Sequence, residues 1–167
     1  MRRASQIALA AACVLTACAG PSDRAADRPR PELPEDRLAL PTYDLRTYEA
    51  LLGGLRGTPV VVNFWGSWCP PCEAEAPGLA EVSSELEGRV QFLGVDILDA
   101  RPAARQFILR FDWQYPSVFD PNGAIRDGLG YVGQPITLIY DADGELAFEW
   151  NGAIGEDQLR REIRKVL

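Results

Sequence analysis

Apolar positions fall into two alternating patterns from about residue 37 onward. Val60-Val61-Val62-Asn63-Phe64-Trp65 is an almost unbroken β-branched and aromatic run, which predicts a strand covered on both faces. Val90–Val95 repeats that pattern, and Ile136–Tyr140, opened by Pro135, is a third such run. Between the first two, Leu79, Val82 and Leu86 recur at i, i+3 and i+7. They predict a helix from Pro70 to about Glu87, stopped by Gly88 and kinked at Pro77. Ala104, Phe107, Ile108 and Phe111 share a helical face over about 102–111. Leu159, Ile163, Val166 and Leu167 do the same at the C-terminus. Shorter signals predict a strand at Thr42–Leu45, a short helix or turn at Tyr48–Leu55, a strand at Pro116–Phe119 and a helical stretch at Ala124–Leu129. Asp141-Ala142-Asp143-Gly144 is a hairpin turn into a last strand at Glu145–Trp150. A parallel crossover unit followed by an antiparallel hairpin gives an α/β domain, a mixed sheet with helices on both faces.

The first residues follow a different pattern. Arg2 and Arg3 precede Ile7–Cys18, an uncharged run of twelve residues. A membrane-spanning helix needs about 20 residues, a secretory leader only about 7–15 apolar ones. The ending Leu15-Thr16-Ala17-Cys18 resembles the lipobox of bacterial lipoproteins. That resemblance implies a signal peptide over 1–17 and an acylated Cys18 at the mature N-terminus; an ordinary secretory leader is the alternative. Residues 18–36 carry Pro21, Pro29, Pro31 and Pro34 among charged and small residues and cannot form a core. They read as a tether, leaving 37–167 as one domain. Loss of Arg2 and Arg3 with the leader takes the net charge from −7 to −9. Such a domain is not held to anionic lipid by its own surface, so attachment falls to the lipid anchor.

Composition narrows the chemistry. The chain has 167 residues, 47% of them hydrophobic and 25% charged, which is the range of a globular domain. Its acidic balance argues against a nucleic-acid partner. There is no histidine, which removes Ser-His-Asp triads, Cys-His dyads and haem attachment through CxxCH. Cys13 belongs to the leader, so Cys69 and Cys72 are the thiols of the domain. Two ligands do not make a structural zinc site, and no metal or cofactor is expected.

Cys69-Pro70-Pro71-Cys72 follows a buried strand and opens a helix. Cysteines at i and i+3 there can close a small disulfide, and an extracytoplasmic location permits one. Cys69, at the helix start, gains from the unsatisfied N–H groups and the positive dipole end, which favour a thiolate. Cys72, one turn in and more enclosed, suits a resolving thiol. The alternative is a purely structural disulfide, although one closing so short a loop constrains the unfolded chain least.

The stretch Val61-Val62-Asn63-Phe64-Trp65-Gly66-Ser67-Trp68-Cys69-Pro70-Pro71-Cys72, with Glu75, Pro77 and Gly133-Gln134-Pro135-Ile136-Thr137, resembles the thioredoxin superfamily. It is most similar to the membrane-tethered extracytoplasmic thiol-disulfide oxidoreductases of the TlpA/ResA kind. The resemblance implies a thioredoxin-like fold with a helix-strand insertion near 102–119 and a short N-terminal β extension. It implies Cys69 as nucleophile, Cys72 as resolving thiol, and a cis Pro135 facing the disulfide. Trp68, Gln134, Pro135 and Ile136 would then contact substrate. Asn63 stands where thioredoxins carry a proton-accepting aspartate, so Glu75 and Asp99 become the candidate acceptors. Their alternative roles are a helix-surface carboxylate for Glu75 and a helix cap for Asp99. The implied activity is thiol-disulfide exchange with exported proteins, fed by a membrane electron donor or acceptor. The implied direction is reductive, as in cytochrome c maturation, with oxidation of secreted dithiols as the alternative. A thiol peroxidase would carry Thr or Ser where Gly66 stands, and a non-catalytic binding lipoprotein would not turn over disulfides. The expected location is the extracytoplasmic face of the cell membrane. Cys18→Ser is expected to abolish incorporation of labelled palmitate; undiminished labelling would overturn the lipobox reading.

Overall fold

The computed structural model describes residues 32–167. The leader, Cys13, Cys18 and most of the expected tether lie outside the described residues. The element order is α1 (Leu45–Gly54), β1 (Val60–Trp65), α2 (Pro70–Glu85), β2 (Gln91–Ile97), α3 (Arg101–Arg110), β3 (Ser117–Asp120), α4 (Ala124–Gly128), β4 (Ile136–Tyr140), β5 (Leu146–Asn151) and α5 (Glu156–Ile163). The five strands form one mixed sheet in the order β3-β2-β1-β4-β5. β1, β2 and β3 run parallel, while β4 is antiparallel to β1 and to β5.

Strand alternation divides the interior in two. Val61 and Trp65 of β1, Phe92 of β2, Phe119 of β3 and Ile139 of β4 pack with α2, α3 and α5. Val60, Val62, Phe64, Leu93, Val95, Val118, Ile136 and Leu138 pack with α1 and with Ile125 of α4. β1 is central and buried at every position, which is why its sequence carries no polar alternation. On the first face Trp65 stacks on Phe107 at 4.7 Å and meets Trp113 edge-on at 5.0 Å. Such contacts add about 0.5–1.5 kcal/mol per pair beyond burial. Trp113 Nε1 donates to the Ala76 carbonyl at 3.0 Å, tying this aromatic cluster to the middle of α2.

Several predicted boundaries move. The strand expected at Thr42–Leu45 is reduced to one bridge, Thr42 to Phe119, because Asp44 caps α1 through the Thr47 N–H and starts the helix at Leu45. β2 runs two residues beyond Val95 and takes Asp96 into the sheet. α2 continues through Pro77. α5 ends at Ile163; Val166 still packs on the core, but Leu167 is exposed. Inside the segment assigned to the tether, Leu33 packs on the second cluster and Tyr43 Oη donates to the Glu32 carbonyl.

Gly94 sits where β2 passes under Trp65. A methyl group there would overlap Ser117 Oγ and lie 2.7 Å from Trp65 Nε1. Gly94→Ala is expected to destabilise the domain by about 1–3 kcal/mol, the usual cost of overpacking. The urea midpoint of the variant checks this.

Candidate active site

The residue between β1 and α2 that ends extended backbone is Cys69. It is the N-cap of α2, with φ −99° and ψ 105°, and Pro70 and Pro71 occupy the first helical positions. Proline is well tolerated there because those N–H groups have no partner within the helix. Cys69 and Cys72 form a disulfide with their Cα atoms 5.3 Å apart. Cys69 Sγ accepts the Cys72 N–H at 3.3 Å. The first two helical residues have no N–H to offer, so this is the donor that α2 brings to the sulfur. Both cysteines are enclosed, at 2% and 1% exposure. Cys69 is therefore less accessible in the oxidised form than its place at a helix start suggests. Position on the helix, rather than burial, distinguishes the two thiols.

Glu75 lies one turn beyond Cys72 and is buried, at 4% exposure. Asn63 Nδ2 donates to its Oε1 at 2.7 Å, and the Ile154 N–H donates to its Oε2 at 2.8 Å. Asn63 Nδ2 also reaches Thr137 Oγ1 at 3.3 Å, so β1, α2, β4 and the segment before α5 meet at this carboxyl. Burial pushes its pKa up to about 7, against the lowering effect of the two hydrogen bonds. Asn63 Oδ1 is buried and has no partner. A half-turn of that amide would present Oδ1 to a protonated Glu75, so one residue can serve both protonation states. The surface-carboxylate alternative for Glu75 is excluded by its burial.

Asp99 plays a different part. Its Oδ2 accepts the Ser67 N–H at 2.5 Å and its Oδ1 accepts the Ser67 hydroxyl at 2.9 Å and the Ala100 N–H at 2.6 Å. It does not cap α3, whose N-cap is Ala100. The structure therefore gives Asp99 to the loop that leads into Cys69, and Glu75 to the buried site behind Cys72. Trp68, 51% exposed, donates its indole N–H to the Leu98 carbonyl at 3.0 Å. Gly66 allows this, since a Cβ there would lie 2.9 Å from Trp68 Nε1.

The Gln134–Pro135 peptide bond is cis. Phe64 pairs with Ile136, so this bond sits at the end of the sheet where β1 leaves for the Cys69 loop. The Pro135 carbonyl accepts the Gly152 N–H at 2.9 Å, while the Gln134 backbone is used by no turn, loop or cap bond among the described residues. Ile136, expected to contact substrate, has its side chain fully buried in the second cluster and offers none. Val132, 82% exposed, and Leu98 add apolar surface to the loops around this end. Sequence reasoning quoted Thr137 only as the end of a motif and passed over Ile154 and Asp96 as site residues. Only Asp96 left a signal, an ionisable residue closing an apolar strand.

Glu75 holds its proton up to about pH 7 in the folded chain, against an ordinary value of 4.5. The folded state thus binds more protons between those values, and Glu75 contributes stability below pH 4.5 that is lost as pH rises through 7. The loss is roughly 3 kcal/mol. Glu75→Gln is expected to remove this part of the pH dependence, read as urea midpoints from pH 4 to 8. An unchanged slope would place Glu75 in water.

Residues 34–149 match the AhpC/TSA family. The thiol-disulfide oxidoreductase ResA of Bacillus thuringiensis subsp. konkukian is 29% identical over 124 residues, covering 74% of this chain and 72% of that protein. The structure of dsbF of Mycobacterium tuberculosis superposes with a TM-score of 0.64 at 30% identity, over 68% of this chain and 84% of that one. A secreted Mycobacterium tuberculosis disulfide oxidoreductase homologous to DsbE of E. coli gives a TM-score of 0.65 at 27% identity, over 79% and 99%. With its CxxC disulfide at the N-terminus of α2, the chain belongs to the AhpC/TSA family of the thioredoxin superfamily and is a thiol-disulfide oxidoreductase similar to ResA.

Proposed function

We propose that the protein reduces disulfides in exported proteins, as in the maturation of apocytochrome c, while tethered to the outer face of the cell membrane through Cys18. The observation that carries the direction is the poverty of donors at Cys69. Pro70 and Pro71 leave the Cys72 N–H, at 3.3 Å, as the helix donor on its sulfur. A reduced form whose thiolate is weakly stabilised gives up electrons readily, because oxidising power grows with stabilisation of the reduced form. Glu75 acts in the same sense, since negative charge behind Cys72 disfavours a neighbouring thiolate. The anchor rests on the lipobox resemblance; no helix among the described residues is long and apolar enough to cross a membrane.

The reaction proceeds in two exchanges. Cys69 thiolate attacks one sulfur of a substrate disulfide, forming a mixed disulfide and releasing the other substrate sulfur as thiolate. Cys72 gives its proton to Glu75 and attacks Cys69 Sγ, forming the Cys69–Cys72 bond and releasing the second substrate thiolate. The substrate gains two electrons and the protein loses two. A dithiol donor at the membrane returns them by the same steps reversed. Trp68 supplies an apolar rim, and the unused Gln134 backbone beside Pro135 can pair with an extended substrate segment.

Cys72→Ser is expected to accumulate mixed disulfides through Cys69, resolved by mass spectrometry after trapping. Faster alkylation of Cys72 than of Cys69 in the reduced parent would reverse the assigned roles. Equilibration with glutathione is expected to give a potential nearer the thioredoxin value of about −270 mV than the roughly −120 mV of a strong oxidant. A value near the latter would make the protein an oxidant of secreted dithiols. Glu75→Gln is expected to slow resolution by roughly 10²-fold, the range of general acid–base catalysis.

A further inference from the structure

A second buried acid stands on the other side of the cysteine loop. Asp96 is the sixth residue of β2, paired in register with Trp65 of β1 and Phe119 of β3. Strand alternation turns its side chain to the face that carries Trp65 and the cysteines. It is 0% exposed, and neither carboxyl oxygen has a hydrogen-bond partner. An ionised carboxylate in that position would be a buried charge without donors, a costly arrangement.

The charged groups whose fields reach it are Asp99 on the turn after β2, Arg101 at the start of α3 and, from the other face of the sheet, Asp120 at the end of β3. Arg101 is already committed. Its guanidinium donates to the Leu40 carbonyl and to Thr42 Oγ1, and lies 4.1 Å over the Phe119 ring. Asp120 accepts the Ala124 and Ile125 N–H groups, each at 2.9 Å. Asp99 remains, an acceptor three residues away and already holding Ser67. Leu98 between them takes the left-handed conformation, φ 52°, which turns the chain sharply at this point.

We propose that Asp96 is a positioning residue of the redox centre: as the neutral acid it donates its carboxyl proton to Asp99 and so fixes Asp99 on the Ser67 N–H and hydroxyl, two residues before Cys69. Two adjacent carboxyls sharing one proton are a stable unit where two charges are not. Burial first, then the Asp99 charge, push the Asp96 pKa up to about 9. The loop is therefore held at neutral pH and released when Asp96 ionises and the two carboxylates repel. The proton moves only between these carboxyls and solvent, so no electron acceptor is involved. The proposal rests on Cys69–Cys72 being the redox centre.

The test uses the full chain with 13C-labelled aspartate carboxyls, in the disulfide form, where neither cysteine titrates. The Asp96 carboxyl resonance, assigned by its loss in Asp96→Asn, is expected to titrate near pH 9. Trp68, bonded to Leu98 on the same turn, is expected to change its fluorescence over the same range in the parent and not in Asp96→Asn. At pH 7, Asp96→Ala is expected to change the Cys69 alkylation rate of the reduced protein about tenfold, the size of one charge-assisted hydrogen bond. Asp96→Asn, which keeps a donor, restores that rate to within about threefold. An Asp96 carboxyl that titrates below pH 5 would overturn the proposal, and this reading stands even if Asp96→Ala does not fold. So would an alanine variant with the parent's alkylation rate, or an asparagine variant no better than alanine. Loss of disulfide turnover with intact titration and alkylation would count against the reductase reading instead.

Discussion

The Glu75 carboxyl is the point at which the architecture and the chemistry meet. It is buried under α2 at the price of desolvation, and two donors from separate parts of the chain offset that cost in part: the Asn63 amide on β1 and the Ile154 N–H before α5. Neither donor is near Glu75 in sequence. The bonds form only when β1 is central, α2 lies across it and the chain returns after β5. One carboxyl therefore ties the strand that delivers the cysteines to the helix that holds them.

The same bonds set the electrostatics behind the disulfide. The α2 N-terminus favours a thiolate at Cys69, and a carboxylate one turn behind Cys72 opposes it. Burial outweighs the bonds from Ile154 and Asn63, so the Glu75 pKa stands at about 7. On the opposite side, Asp99 spends its oxygens on Ser67 and Ala100 and holds the approach to Cys69 in place. The two acidic residues singled out beside the motif thus differ in setting, one buried between two donors and one holding a loop. The difference lies in their donors: Glu75 meets two in a buried site, Asp99 meets three at a partly open turn.

Much of this was legible in the residues themselves. β1, α2 and the CxxC at their junction follow from an apolar run, paired prolines and a helical stripe, all of them local signals. The absence of histidine confined proton transfer to carboxylates, and periodicity placed Leu79, Val82, Phe107, Leu159 and Ile163 in the core. What remained open was long-range. The roles of Glu75 and Asp99 could not be separated along the chain, because both are acidic residues near a motif and their partners are 12 and 32 positions away. The Thr42–Leu45 strand reduced to a single bridge because a capping aspartate won over β-propensity. Asp96 closes an apolar strand in the sequence, but only the sheet register turns it inward without a donor. Composition and periodicity determine which elements form and which face of each is apolar, since these depend on neighbours within a few residues. Which carboxyl meets which donor, and so which acid holds a proton beside the cysteines, was decided by the packing of β1, β2, α2 and the segment before α5, where desolvation and pairing depend on groups that the chain brings together only on folding.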